Sequence, residues 1–557
     1  RKLVRRYRAA VSVAAVLVAT LTVMLVVVWR AWFVALEQRD TAQHATRIAY
    51  DLFQQVLRYD ASVQPLAGSV VVRDEALLEV SALLPQLAQL GAAGGSGELR
   101  ARLAEQRGDI ARVQRQRSAA AAHYQAFLDE VLRPGASFQP SAEQLCDAAR
   151  ACGKIASVVD DPEPHFLRGI ALASEARQRG ARAAEAAFCL AELRAAYGSH
   201  LLRGMRHEEA VEQIGAALGD APPTGERVAT GMAWPELIAT ALSTRGQALS
   251  RLGAGAAAIA DLRESVRIRS EMVAQRPSDT TSRHKLMLGQ LRLGSLLRDA
   301  GSPDEAREQW RSAVATGELL HRLDPAAAEW TRDLYAAVHR LAAMDVDAGR
   351  LGEARGEVAL AVSLARELAA LRPEDTESAS TLAYALALEG RLHLADESLE
   401  EAWRVFSEAA EIRQGLRGAM GDEGEKTVAQ VQVWLGMTAR RMGRAALAIE
   451  HYDHARAIRQ ALLDQQPHSV DYALDLAETQ INHAAAYIAL DTAEGDAAAL
   501  ALLDGAAGVL LRLEQAELTD GVQRRHAVRA GALQANRELL AKRGRVVAEG
   551  AAPWSRR

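Results

Sequence analysis

The stretch GQALSRLGAGAAAIADLRES, residues 246–265, decides the fold of this chain because its pattern returns at nearly constant intervals. A small residue stands at Gly246, an alanine at Ala258, a bulky apolar residue at Leu262 and a second small residue at Ser265. A turn-forming glycine, Gly253, separates the two halves. Small residues at these spacings let two helices approach each other closely, while the bulky side chain fills the space between neighbouring pairs.

The same four positions recur in six copies, at steps of 48 residues except for a last step of 46. The first small residue is Gly198, Gly246, Gly294, Ala342, Gly390 and Gly436, and the alanine is Ala210, Ala258, Ala306, Ala354, Ala402 and Ala448. The bulky residue is Ile214, Leu262, Trp310, Val358, Phe406 and Tyr452, and the second small residue is Ala217, Ser265, Ala313, Ala361, Ala409 and Ala455. A period of this length indicates an array of helix pairs.

Glycines and prolines, which favour turns, recur at fixed positions of the repeat. Between the helices of a pair, a glycine is predicted to adopt positive φ: Gly253, Gly301, Gly349 and Gly443. A proline 31 residues after the small residue is predicted to stop the second helix: Pro277, Pro325, Pro373 and Pro467. Gly421 takes that place in the copy without a proline, and TAEGD at 492–496 is predicted to lengthen the turn of a further, degenerate copy.

Composition favours packed helices over sheets and argues against nucleic-acid binding. The chain is 49% hydrophobic but only 4% aromatic, and Gly68 to Val72 is the nearest approach to a strand. The net charge of −5 is spread over 557 residues, with acids and bases interleaved throughout. We therefore expect an all-α protein with no nucleic-acid partner.

Residues 9–29 carry no charge, and a helix of this length can cross a hydrocarbon core of roughly 30 Å. The preceding residues 1–8 are strongly basic, whereas the residues after Arg30 mix bases with acids. The positive-inside rule then predicts a single transmembrane helix with its N-terminus in the cytoplasm and the rest of the chain outside. The opposite orientation, with the array in the cytoplasm, is the alternative.

The remaining segments follow from local patterns. We predict a basic cytoplasmic tail at 1–8, the transmembrane helix at 9–29, an amphipathic stalk helix at 30–62, membrane-proximal helices at 63–134, an irregular helical connector at 135–189, the solenoid at 190–515, and a capping helix with a tail at 516–557.

The order small, alanine, bulky, alanine, with a turn between the helices, resembles the tetratricopeptide repeat, here with helices longer than the usual 34-residue unit. The resemblance implies a right-handed superhelix whose concave face binds peptides. If the first helix of each pair lines that face, its polar residues are the candidates for partner binding: Gln247, Arg251, Arg298, Asp299, His339, Asp347, Arg391, Arg440 and Arg441. The alternative is an ordinary solvated face with local ion pairs.

The chain is predicted to have, in order, a basic tail, one span, a stalk containing EQRDTAQHATRIAYDLFQQVL, a helix pair ending in LAEQRGDIARVQ, and then long repeats. This order resembles the C-terminal half of bacterial Hanks-type transmembrane serine/threonine protein kinases. The resemblance implies a kinase domain upstream of Arg1, the bacterial inner membrane with the repeats in the periplasm, protein or peptide partners, and compatibility with a homodimer through span and stalk. It would also account for a first residue that is not methionine. The alternative is a membrane-tethered scaffold or envelope assembly factor without a kinase.

No motif for chemistry is found in these residues. There is no glycine-rich phosphate loop, V-A-I-K lysine, H-R-D loop or D-F-G, and HRLDP at His321 to Pro325 closes a repeat helix. We therefore predict no catalytic residue, cofactor or metal, with ATP and Mg confined to any upstream kinase domain. His451 and His454 are spaced for a shared metal but lack a third ligand, so surface histidines are favoured.

The three cysteines, Cys146, Cys152 and Cys189, form no C-x-x-C pair. They are interpreted as small buried hydrophobic residues. Gly153 would allow Cys146 and Cys152 to meet if it ended their helix, so a disulfide between them stays open.

Overall fold

The computed structural model describes residues 115–132, 140–180, 183–221, 233–514 and 520–543, together with Val26 and scattered positions from 101 to 112. Within these residues every regular element is an α-helix, so the all-α prediction is confirmed for them. The predicted tail 1–8, the span 9–29 except Val26, and the stalk 30–62 lie outside the described residues. None of the helices described has the length and apolar character needed to cross a membrane.

The chain divides into two compact units, Arg1–Asp324 and Pro325–Arg557. In order, the helices of the first unit are α1 (Arg117–Val131), α2 (Ala142–Ala156), α3 (Glu163–Gln178), α4 (Ala183–Arg203), α5 (His207–Gly219), α6 (Trp234–Arg251), α7 (Gly255–Gln275), α8 (Thr280–Asp299) and α9 (Pro303–Leu323). The described residues of the second unit contain α10 (Ala328–Asp347), α11 (Leu351–Leu371), α12 (Thr376–Ala395), α13 (Leu399–Leu416), α14 (Gly421–Arg441), α15 (Ala445–Gln465), α16 (Val470–Ala489), α17 (Ala493–Glu514) and α18 (Asp520–Arg543).

Residues 135–189, predicted to be an irregular connector, contain the regular helices α2 and α3 and the start of α4. A capping box starts α2: the Gln144 backbone N–H donates to the Ser141 hydroxyl at 3.2 Å, and the Ser141 N–H donates to the Gln144 side chain at 2.8 Å. Gly153 lies inside α2 rather than ending it.

The predicted close approach within each helix pair is confirmed by the room around the glycines. A Cβ added at Gly294 would lie 2.5 Å from Trp310 Nε1, and one added at Gly390 would lie 2.5 Å from the Phe406 ring. Both aromatic side chains are completely buried. The Trp310 indole N–H also donates to the backbone carbonyl of Leu291 at 3.1 Å, which satisfies its polar atom inside the core.

The predicted turns are also confirmed. Gly253, Gly301, Gly349 and Gly443 have φ between 71° and 81°. The residue after each glycine donates its N–H back into the preceding helix, for example Ala254 to the Leu249 carbonyl at 2.9 Å. This 6→1 bond is the Schellman arrangement, which requires the left-handed conformation that glycine adopts without strain.

The second helices end two residues before the prolines, as predicted. Their last residues are Gln275, Leu323, Leu371 and Gln465, before Pro277, Pro325, Pro373 and Pro467. The prediction for Gly421 is wrong: α13 already ends at Leu416, and Gly421 is the first residue of α14. The repeat without a proline therefore has a shorter second helix, of 18 residues instead of 21.

The degenerate seventh copy consists of α16 and α17, and its turn is not lengthened by TAEGD. Helix α17 already begins at Ala493, and the Thr492 hydroxyl accepts the Gly495 backbone N–H at 3.0 Å. Asp496 stands where the other copies carry alanine, is fully buried, and accepts a hydrogen bond of 2.8 Å from Arg543 of α18. The last helix, α18, packs on α16 and α17, and the aspartate that replaces the repeat alanine also holds its Arg543.

In the second unit, each helix packs on its chain neighbours, and the first helices of successive pairs also contact each other. Helix α10 contacts α12, α12 contacts α14, and α14 contacts α16. We call the surface formed by α10, α12, α14 and α16 the first-helix face of the second unit.

Candidate interaction surface on the second unit

The nine residues marked by the sequence as groove candidates fall into two groups. Gln247 and Arg251 lie on α6, and Arg298 and Asp299 lie on α8, all in the first unit. His339, Asp347, Arg391, Arg440 and Arg441 lie on α10, α12 and α14, on the first-helix face of the second unit.

The candidates of the first unit are bound locally. The Gln247 amide donates to the Ser243 carbonyl of its own helix at 3.0 Å. Arg251 is exposed, and Arg298 pairs with its exposed neighbour Asp299 at 2.8 Å. Exposed ion pairs of this kind contribute little to stability and do not by themselves indicate a binding site. For these four residues the solvated-face alternative fits the structure.

The candidates of the second unit link successive first helices. Arg391 of α12 donates to the carboxylate of Asp347 on α10. Arg441 of α14 donates to the Leu394 carbonyl of α12 at 2.7 Å and to Glu397 at 3.1 Å. Both arginines therefore bridge adjacent first helices, and because the side-chain pairs are exposed, the bridges contribute little to stability. Arg440 instead lies beside Tyr452, where its charge lowers the pKa of the hydroxyl. Burial raises that pKa by more, so the net shift is upward.

His339 lies among other side chains of this face and is neutral at pH 7. Burial, with Arg340 and Arg391 nearby, lowers the pKa of His339 to about 4. Its ring centroid lies 5.5 Å from that of Tyr335, and it makes a hydrogen bond to the backbone of Tyr384. His339 consequently supplies a polar ring rather than a cation.

The residues that sequence reasoning missed lie on the second helices. Seven residues after the bulky position, three copies carry arginine, namely Arg269, Arg413 and Arg459, whereas the other three carry Ala221, Gly317 and Ala365. The three arginines are between 2% and 4% exposed. The signal available in the sequence was a charge at a register position where other copies are small.

Two of these arginines find acceptors inside the fold. The Arg459 guanidinium donates to the Asp475 carbonyl and the Thr479 hydroxyl, both at 2.6 Å, and to the Gln430 side chain at 2.5 Å. Arg269 donates to the Thr240 hydroxyl at 3.0 Å. Arg269 also lies 3.6 Å from a Glu236 carboxylate oxygen.

Arg413 is different. Its Nη1 donates to the Thr427 carbonyl at 3.0 Å, but its Nε and Nη2 are buried and have no hydrogen-bond acceptor in the described part of the protein. Val431 stands where the Arg459 repeat has Thr479, and Tyr384 stands where it has Gln430. The loss of both acceptors leaves a buried guanidinium whose pKa is lowered by burial.

Two tyrosines surround this guanidinium. The Tyr384 ring centroid lies 4.4 Å from Arg413 Cζ, a cation–π contact, and its hydroxyl donates to Glu423 at 3.2 Å. The Tyr335 hydroxyl donates to the Thr381 carbonyl at 3.2 Å. Burial raises the pKa of both phenols, so both are neutral at pH 7.

We call Tyr335, His339, Tyr384, Arg391 and Arg413 the first-helix cluster. It combines aromatic surface with two guanidinium groups, of which one is already paired with a carboxylate. None of its five members is a serine, cysteine or lysine able to act as a nucleophile activated by a neighbouring base. The arrangement suits recognition of a planar anion beside apolar groups, because guanidinium groups match carboxylates geometrically.

The two histidines considered for a metal have different surroundings. His451 Nδ1 makes a 2.6 Å hydrogen bond with Gln432 Oε1, and its ring lies edge-on to Trp403. His454 is exposed and lines a cavity of about 360 Å³ between α15 and the start of α14, beside Arg417 and Glu425. The cavity exists where α13 is shortened.

The cysteines are as interpreted: Cys146, Cys152 and Cys189 are all buried and free, so no disulfide joins Cys146 to Cys152. Burial raises the pKa of Cys152 to about 11 and that of Cys189 to about 12. These thiols are unreactive packing groups at neutral pH.

No protein-family model matches the chain, and no curated protein matches it. Among solved structures, BtubC (BKLC) from P. vanneervenii is similar over 47% of this chain and 92% of its own, with 21% sequence identity and a TM-score of 0.34.

Proposed function

We propose that this chain is the partner-binding region of a bacterial receptor-like serine/threonine protein kinase. Its repeats are of the tetratricopeptide type, they stack as an α-solenoid, and their first helices present a peptide-binding face. The observation that carries the proposal is the repeated contact of small residue with bulky residue, together with the contacts between successive first helices. Stacked helix pairs bury a continuous core and leave one extended face for a partner.

The composition of the first-helix cluster supports binding rather than chemistry. Tyrosine and arginine dominate the energetics of protein interfaces, because they combine apolar contact area with directional hydrogen bonds. The helices of the face are held by their packing on one another, and the Asp347–Arg391 pair and the bonds of Arg441 bridge adjacent ones. A face fixed in this way loses little conformational entropy when a peptide docks.

The position in the cell is part of the proposal and comes from the sequence. The uncharged segment 9–29 follows the basic residues 1–8, which favours one span in the bacterial inner membrane with the repeats in the periplasm. Binding of a partner outside would change the proximity or orientation of spans, and so of kinase domains inside.

The kinase assignment is tested by reading the gene upstream of the codon for Arg1. We expect an in-frame kinase domain with a glycine-rich loop, an H-R-D loop and D-F-G. An open reading frame that starts close to Arg1 and encodes no kinase would replace the proposal by a membrane-tethered scaffold. Reporter fusions at the C-terminus test the orientation: a reporter active only in the periplasm should be active, and a silent one would place the repeats in the cytoplasm.

A further inference from the structure

The Arg413 guanidinium is the buried charge of the second unit that calls for an explanation. It is 4% exposed, its Nε and Nη2 have no acceptor, and the described residues place no carboxylate within ion-pair distance of it. Burial of a charge without a counterion is costly, so such groups persist where they serve a purpose. Arg459, at the same repeat position, has acceptors for both Nη1 and Nη2 supplied by the fold, and only its Nε lacks one.

Tyr384, on α12 of the first-helix face, covers this guanidinium. The tyrosine is half-buried on α12, its ring covers Arg413, and its hydroxyl is held by Glu423 in an exposed hydrogen bond. In the inference drawn below, this one side chain turns aside, with loss of that exposed bond, so that an incoming group can reach the guanidinium. Exposed hydrogen bonds of this kind are readily exchanged for bonds with water, so the opening needs no change in the backbone.

The charge of Arg413 selects the sign of that group. Arg391 and Arg340 both lower the pKa of the neighbouring His339, whereas the charge that acts on Arg413 is the Glu423 carboxylate, which raises the pKa of Arg413 against the larger effect of burial. The sign of an incoming group is therefore set by the positive charge of the Arg413 guanidinium itself. The acid that acts on Arg413, Glu423, accepts from the Tyr384 hydroxyl. An incoming carboxylate would pair with Nε and Nη2, the two adjacent donors of the guanidinium fork.

We propose that Arg413, a residue of the second helix α13 that contacts Tyr384 of the first-helix face, is a specificity-determining residue, binding a carboxylate of an acidic peptide segment of a protein partner once Tyr384 has turned aside. The inference rests on the proposed peptide-binding function and adds the chemical class of the ligand. The rings of Tyr335 and Tyr384 then flank the carboxylate and contact the apolar atoms beside it. Glu423 competes with the ligand and also holds Tyr384 closed.

The test uses the full chain in detergent and a library of random twelve-residue peptides displayed on phage. Selections are run on the unchanged protein, on Arg413→Met and on Arg404→Met. Arg404 is the matched control because it is exposed and nine residues from Arg413 on α13, which is half a turn out of phase. Arg404→Met therefore removes the same charge from the opposite side of the helix.

We expect the unchanged protein and Arg404→Met to enrich peptides with aspartate or glutamate at one fixed position, and Arg413→Met to lose that preference. A synthetic copy of an enriched peptide, followed by fluorescence anisotropy, should bind the unchanged protein at least tenfold more tightly than its Glu→Gln or Asp→Asn version. Arg413→Met should bind both versions alike. Glu423→Gln should bind the acidic version several-fold more tightly than the unchanged protein does.

Two results would overturn the assignment and are distinguishable. Enrichment of peptides without a fixed acidic position would leave peptide binding intact and reject the role of Arg413. Enrichment of no peptide at all would reject the peptide-binding function on which the inference rests. Thermal unfolding provides a folding check: Arg413→Met should keep the midpoint of the unchanged protein, because it removes an unpaired buried charge, whereas Arg459→Met should lower it.

Discussion

The contact between Gly390 and Phe406 provides a direct test of why the repeats pack as they do. In Gly390→Ala the new Cβ would lie 2.5 Å, 2.6 Å and 2.8 Å from three ring atoms of Phe406, which is fully buried. Overpacking of this kind costs up to about 3 kcal/mol, while alanine gains about 1 kcal/mol over glycine in a helix. We expect α12 and α13 to be destabilised by about 2 kcal/mol, measured as the free energy of local opening by hydrogen exchange and mass spectrometry.

The chain supplies both a control and a rescue for this variant. Gly356 is exposed inside α11 with no atom near its missing Cβ, so Gly356→Ala should stabilise α11 by about 1 kcal/mol. One natural pair already combines alanine with a smaller partner, Ala342 with Val358, both buried. The double variant Gly390→Ala/Phe406→Val copies that pair and should be no less stable than Phe406→Val alone. Additive effects of the two substitutions would refute steric contact as the reason for the pattern.

Three further outcomes follow from buried groups. His483 is 1% exposed and burial lowers its pKa to about 4, as it does for His339, so the unfolded chain takes up protons first as pH falls from about 6.5 towards 4. The free energy of unfolding should be constant above about pH 6.5 and should fall between about pH 6.5 and 4, by on the order of 2–3 kcal/mol for His483. Urea titrations of His483→Phe should show a smaller fall over the same pH range. Asp496→Ala should speed hydrogen exchange in α18, because it removes the ion pair with Arg543, while exchange in α10 stays unchanged. A thiol reagent at pH 8 should leave Cys189 unmodified until the protein is unfolded, and rapid native labelling would contradict its burial.

The repeat positions were predictable because each depends on local or periodic constraints. A glycine facing a tryptophan, a glycine with positive φ and a proline after a helix are recognised from spacing alone, as at Gly294, Gly301 and Pro325. Where the spacing changes, the prediction failed. In the copy with the 46-residue step, α13 is about one turn shorter than the other second helices. Gly421 therefore begins α14 instead of following the end of α13.

The candidate site was predicted less well because partners come from different helices. Arg391 and Asp347 were both marked from the sequence, but their contact depends on the packing of α12 against α10. Arg413 was overlooked because candidates were taken only from the first helix of each pair. Its missing acceptors depend on Val431 and Tyr384, whose equivalents in the next repeat, Thr479 and Gln430, serve Arg459.

The amino-acid sequence by itself determined that the described part of this chain is helical, where most helices end, and which small and bulky residues meet, since these follow from backbone geometry and a regular period. Only the tertiary structure decided which charges are paired and which are buried without an acceptor. The physical reason is that a hydrogen bond depends on distances of a few tenths of an ångström between groups on separate helices, which no spacing along a single helix fixes.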